Sequence, residues 1–136
     1  MQHNKELSQY RLEQAERCLK SAKTLLLDED FKGSANRCYY CVFHSMRSVL
    51  ALENIDFKSH SAVIAHFRKG YIKTKYVDVL LSEILADLSQ IRTGSDYNDY
   101  YIISKEDVEE QIESTEYFLE QIKKYLKNIN NQDALP

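Results

Sequence analysis

A chain of 136 residues with only three glycines, and with its single proline at position 136, has little material for tight turns. A sheet-rich fold needs many turns and bulges, so the expectation is all-α. Hydrophobic periodicity supplies the helices. The first runs from about Lys5 to Leu27 and buries Leu12, Ala15, Leu19, Ala22 and Leu26. Asp30 is placed to cap a second, which reaches about Asn54 with Ala35, Tyr39, Val42, Met46 and Val49 on one face. After a loop from Ile55 to Lys58, Ser59 caps a shorter third helix carrying Val63, Ile64, Phe67 and Tyr71. The fourth is the stripe Val77, Leu80, Leu81, Ile84, Leu88 and Ile91, followed by a loop from about Gly94 to Ile103. Ser104-Lys105-Glu106-Asp107 opens the fifth, whose seam is Val108, Ile112, Thr115, Leu119, Ile122, Leu126 and Ile129. Helices this long on short connections predict an up-and-down antiparallel bundle of about five helices. One domain covers residues 1–136, with its core between about 5 and 130.

No apolar run approaches a membrane span and the N-terminal residues are polar, so the sequence predicts a cytoplasmic protein with no membrane contact. Cys18, Cys38 and Cys41 are odd in number and lack a second ligand pair at zinc spacing; they are expected as buried, reduced thiols, with no metal or cofactor. The net charge of −3 is unevenly spread. Lys58, Arg68, Lys69, Lys73 and Lys75 occupy a stretch without acids, while Glu106, Asp107, Glu109, Glu110, Glu113, Glu116 and Glu120 load the last helix. One face is thereby able to attract anions.

Two groups of residues stand out as candidate sites. Arg92 sits at the edge of the fourth apolar stripe, beside Leu81 and Leu85, where its guanidinium wants either Asp96 or a phosphate. On the second helix Asn36, Tyr40, His44 and Arg47 share one arc, a polar aromatic ridge turned away from the core stripe. His44 can act as acid or base near neutrality, with an unperturbed pKa of about 6.5. A tyrosine-rich helix can equally satisfy its polar tips at a bundle margin with no ligand at all.

The segments Arg37-Cys38-Tyr39-Tyr40-Cys41-Val42-Phe43-His44, Lys58-Ser59-His60-Ser61-Ala62-Val63-Ile64 and Arg92-Thr93-Gly94-Ser95-Asp96-Tyr97 together resemble the small prokaryotic HEPN domains. The resemblance spans about Arg11 to Leu126. It implies a helical bundle that forms a homodimer and is paired with a minimal nucleotidyltransferase, as toxin and antitoxin or in a related defence pair. It also implies an RNA or nucleotide surface, here Arg92, Asp96, Tyr97, Asn36, Tyr40, Arg47, His60 and Lys69. Some partner nucleotidyltransferases modify a tyrosine near the arginine, which makes Tyr97, Tyr100 and Tyr101 candidate acceptors.

Active members of the wider family are metal-independent ribonucleases whose motif places a histidine four to six residues after an arginine. The histidine moves a proton at the ribose 2′-hydroxyl or the leaving oxygen, and the arginine holds the charge on the phosphorane. Arg92 matches the arginine, but Tyr97, Asn98 and Asp99 hold the eligible positions and the histidine is missing. Tyrosine, with a pKa near 10, is a poor base at neutral pH. Three readings follow: an RNA- or nucleotide-binding HEPN component with weak or no cleavage; a ribonuclease toxin using Arg92 with another base, His44 first, or His60 or His66; and a purely structural helical interaction protein.

Overall fold

The computed structural model describes residues 2–97 and 102–134. Five α-helices follow one another: α1 (Gln2–Leu27), α2 (Phe31–Leu52), α3 (His60–Phe67), α4 (Leu80–Tyr97) and α5 (Lys105–Ala134), with a π-helical turn, Arg68–Ile72, continuing α3. No strand occurs among the described residues. None of these helices is long and apolar enough to cross a membrane.

The caps explain how so few glycines suffice. At the end of α1 the Asp30 N–H donates to the Leu25 carbonyl (2.9 Å) and the Glu29 N–H to Leu26 (3.0 Å), with Glu29 left-handed at φ 63°. The same closure ends α2, where Ile55 N–H reaches Leu50 (3.1 Å), Asn54 N–H reaches Ala51 (3.0 Å), and Asn54 is left-handed at φ 59°. Both are Schellman closures with ordinary residues where glycine is commonest. The starts behave as their sequences predict. Asp30 accepts from Gly33 N–H (2.9 Å), Ser59 from Ala62 N–H (3.1 Å), and Ser104 Oγ from Asp107 N–H (3.0 Å). Gly33 makes room for the cap: a Cβ there would come within 2.4 Å of the Asp30 carboxylate and push it from its place.

Contacts fix the helix directions. Ser34 Oγ donates to the Ala22 carbonyl (2.7 Å) and Arg11 to the Arg47 carbonyl (3.2 Å), so α1 and α2 run antiparallel. Lys23–Glu116 (3.6 Å) and Lys123–Glu16 (3.7 Å) set α5 antiparallel to α1. Tyr117 of α5 donates to Asp78 just ahead of α4, while Ile91 near the other end of α4 faces Asp107, so those two oppose as well. α2 is the central member. Its Tyr39, Val42, Met46, Val49 and Leu50 are buried against Val63 and Phe67, the α4 residues Leu81, Leu85 and Leu88, and Val108, Ile112, Phe118 and Ile122 of α5. Cys18, Cys38 and Cys41 are free and buried; desolvation pushes the Cys38 thiol up to about 11 and Cys41 higher still.

The fourth helix departs from its expected limits at both ends. Val77 is buried, but it precedes the helix; Asp78 caps the start by accepting the Leu80 N–H (2.9 Å), and Leu80 is about half exposed rather than part of the buried stripe. At the other end the helix passes through Gly94 to Tyr97, where a loop is expected. One glycine in a helix interior costs only about 1 kcal/mol, too little to end a helix whose preceding turns are packed. Arg92 therefore lies inside α4, continuing the buried row Leu81, Leu85 and Leu88.

Candidate functional site

Helical spacing places Tyr39, Tyr40 and Phe43 on adjoining sides of α2, and the capped start of α3 brings His60 onto them. Tyr39 has its ring in the core, yet its hydroxyl shares a hydrogen bond with His60 Nδ1 (3.0 Å). The His60 ring lies 4.1 Å from Phe43 and 5.8 Å from both Tyr39 and Tyr40, centroid to centroid. Into this cluster α4 delivers Arg92, whose guanidinium stands 4.8 Å from the Tyr39 ring centroid and 5.9 Å from that of Tyr40. Arg37 stands 5.1 Å from the Tyr40 ring centroid, and Arg47 lies 5.8 Å from that of Phe43. Guanidinium over aromatic faces is a stabilising arrangement.

Arg37, Arg47 and Arg92 face these rings and Lys58 lines the cleft beside Phe43 and His60. Among the described residues Asp56 answers part of this charge, accepting from Arg47 (3.0 and 3.2 Å) and from the buried Arg11 (3.3 Å). Burial, then the charges of Arg92 and Arg47, hold His60 below the ordinary histidine pKa. Burial, followed by Arg47, Arg37, Arg11 and His60, does the same to His44. Both shifts favour the neutral imidazole. With Nδ1 engaged by Tyr39, His60 Nε2 has no hydrogen-bond partner among the described residues. Beside it opens a cleft of about 510 Å³ lined by Phe43, Arg47, Asp56, Phe57, Lys58 and His60.

The sequence-predicted residues fall into four groups. Arg92, Tyr40, Arg47 and His60 come together in this cluster. Asn36 supports it from behind, accepting from Arg37 Nε (3.1 Å) and Nη2 (2.6 Å). His44 lies at its edge, 6.3 Å from Tyr40 and 6.1 Å from Phe43, while His60 is the histidine joined to the tyrosine beneath Arg92. Lys69 is exposed on the π-helical turn, nine residues beyond His60 and so about 13 Å further along the helix axis. His66 turns away to Glu53 (3.4 Å) and Phe57. The side chains of Asp96 and Tyr97, and all of Tyr100 and Tyr101, lie outside the described residues. Sequence reasoning passed over Tyr39 and Phe43 because their rings belong to the core stripe. A tyrosine in that stripe was the available signal, since its hydroxyl needs a buried partner.

A geometry of basic forks on aromatic faces can hold a phosphate while stacking a base. A family model described as "HEPN domain" matches residues 8–125. The chain is 29% identical over 129 residues to a "UPF0332 protein" of Thermotoga maritima, covering 95% of this chain and 98% of that protein. It is 34% identical over 120 residues to "Putative toxin MJ0142" of Methanocaldococcus jannaschii, covering 87% and 82% of the two chains. A second protein of that organism, "Putative toxin MJ0605", is 30% identical over 118 residues, 87% of each.

Proposed function

The chain belongs to the HEPN domain family, and we propose that it is the toxin-like member of a two-protein pair, holding RNA or a nucleotide against its Arg92 face. The observation that carries this reading is the convergence of Arg92, Arg37, Arg47 and Lys58 on Tyr39, Tyr40, Phe43 and His60. Arginine forks grip the phosphate, Tyr40 offers a half-buried ring on which a base can stack, and His60 Nε2 donates or accepts at the cleft. The toxin-named relatives support the toxin-like role. The partner we assign is a minimal nucleotidyltransferase. The dimer forms between two copies through the Arg92 end of α4, and Tyr97, Tyr100 and Tyr101 are the acceptor candidates for nucleotidyl transfer. Intact-mass analysis after incubation with that enzyme and ATP tests the last point, and an unchanged mass removes it.

The position of His60 favours a second reading, metal-independent cleavage. Neutral Nε2 takes the proton from a ribose 2′-hydroxyl; the 2′-oxygen attacks phosphorus, and the 5′-oxygen leaves with a proton from an acid or water. Arg92 neutralises the phosphorane, and the products are a 2′,3′-cyclic phosphate and a 5′-hydroxyl. Tyr39 would orient the imidazole. Wild type, Arg92→Gln and His60→Ala are incubated with mixed RNA in EDTA, and binding and cutting are followed together. Binding without cutting supports the first reading, and cutting lost in both variants supports the second. RNA neither bound nor cut overturns both.

A further inference from the structure

Between α4 and α5, two adjoining clefts of about 360 and 420 Å³ share Ile84, Asp87 and Ser114 and form one groove, which Arg92 does not line. Its apolar floor is Ile84, Leu88 and Ile91, extended by the half-exposed Leu80 and the exposed Tyr117. Acids line both walls: Glu83 and Asp87 from α4, and Asp107, Glu110 and Glu113 from α5. Neither 80–91 nor 107–117 contains a lysine, arginine or histidine. Such a run of like charges along two facing helices costs stability by repulsion unless something answers it.

A second observation comes from Gln111, which lines the same groove. The residue is 6% exposed, and neither Nε2 nor Oε1 has a hydrogen-bond partner among the described residues. A buried amide with its bonds unmade costs free energy, which a polar group recovers if the Gln111 side chain turns outward to meet it in the groove.

We propose that this groove docks an amphipathic helix of another protein, one with an apolar stripe flanked on both sides by lysine or arginine. Two antiparallel helices offer a third helix the ridges and grooves it needs, and the floor residues Leu80, Ile84 and Ile91 recur on one face of α4 as such a contact requires. The flanking bases meet Asp87 on one wall and Glu110 on the other, and a polar group of the incoming helix satisfies Gln111. This surface is independent of what the Arg92 cluster binds, so either reading can fail without the other.

The test uses a labelled 18-residue helical peptide with a leucine stripe flanked by lysines, and a twin with glutamate at every lysine position. Anisotropy measures affinity and amide chemical shifts locate binding on the full chain. The lysine peptide is expected to bind wild type and shift residues 80–91 and 107–117. Asp87→Lys with Glu110→Lys, both exposed positions, weakens it about tenfold or more and transfers preference to the glutamate twin. Gln111→Leu, which keeps the apolar floor, also weakens the lysine peptide. Shifts confined to other helices, or affinity unmoved by the charge reversal, overturn the proposal. So does a wild-type dimer that the charge reversal dissociates, because the occupant would then be a second copy.

Discussion

Thr115 lies fully buried in the seam of α5, and its hydroxyl has no hydrogen-bond partner among the described residues. The Cys38 thiol is close enough to feel the hydroxyl but does not meet hydrogen-bond geometry, and a thiol is a weak partner in any case. Thr115→Val keeps the shape and the β-branch while removing the orphaned group. An unsatisfied buried polar group costs about 1–3 kcal/mol, of which the substitution should recover about 1 kcal/mol, since threonine and valine have similar helix propensity. Unfolding entropy of about 2.1 cal/mol/K per residue over 136 residues amounts to about 0.29 kcal/mol/K, so that gain raises Tm by about 3–4 °C. Thermal unfolding followed by circular dichroism at 222 nm, with reversibility checked, gives the answer. A Tm lowered by as much would refute the reasoning, because the hydroxyl would then be making a bond worth more than its burial costs.

Three further outcomes follow from the site. Ser59→Ala removes the cap of α3 and should cost about 1 kcal/mol in a urea titration with unchanged m-value, while loosening the turn that carries His60. His44 and His60 both have folded pKa values below the unfolded value of about 6.5. The unfolded chain therefore binds more protons in that range, and stability declines as pH falls through about 6.5 toward the folded values. His60→Gln should flatten the dependence of the urea midpoint between pH 8 and 5.5, and an unaltered curve would show that His60 does not contribute to it. Tyr40→Ala should weaken single-stranded RNA about 5- to 150-fold, the range of one lost base stack; an unchanged Kd by anisotropy would remove Tyr40 from the interface.

Much of the bundle was legible because its signals are local. The α5 seam and the caps at Asp30, Ser59 and Ser104 each depend on residues within a turn or two of one another. The limits of α4 were not, since they turn on tertiary packing that carries the helix through Gly94 and on Asp78 acting ahead of Leu80. The π-helical turn at Arg68–Ile72 left no mark in the periodicity, because one extra residue per turn shifts the pattern too little over five residues. For the site, the resemblance placed His60 and Arg92 on one surface, and spacing placed Tyr40 and Arg47 on one arc. What joins them is Tyr39, whose ring serves the core and whose hydroxyl serves His60, and a residue with two roles appears in a pattern only as the first.

The central claim is that Arg92 and its aromatic cluster meet phosphate. The most direct measurement is the salt dependence of single-stranded RNA binding by wild type and Arg92→Gln. Four cations at the cluster, Arg37, Arg47, Lys58 and Arg92, correspond to a log–log slope of about −2.8 at about −0.7 per phosphate. Removing Arg92 should bring the slope to about −2.1 and lower the affinity at every salt concentration. An affinity and slope unchanged by Arg92→Gln would contradict the account, because any RNA would then be held elsewhere on the bundle.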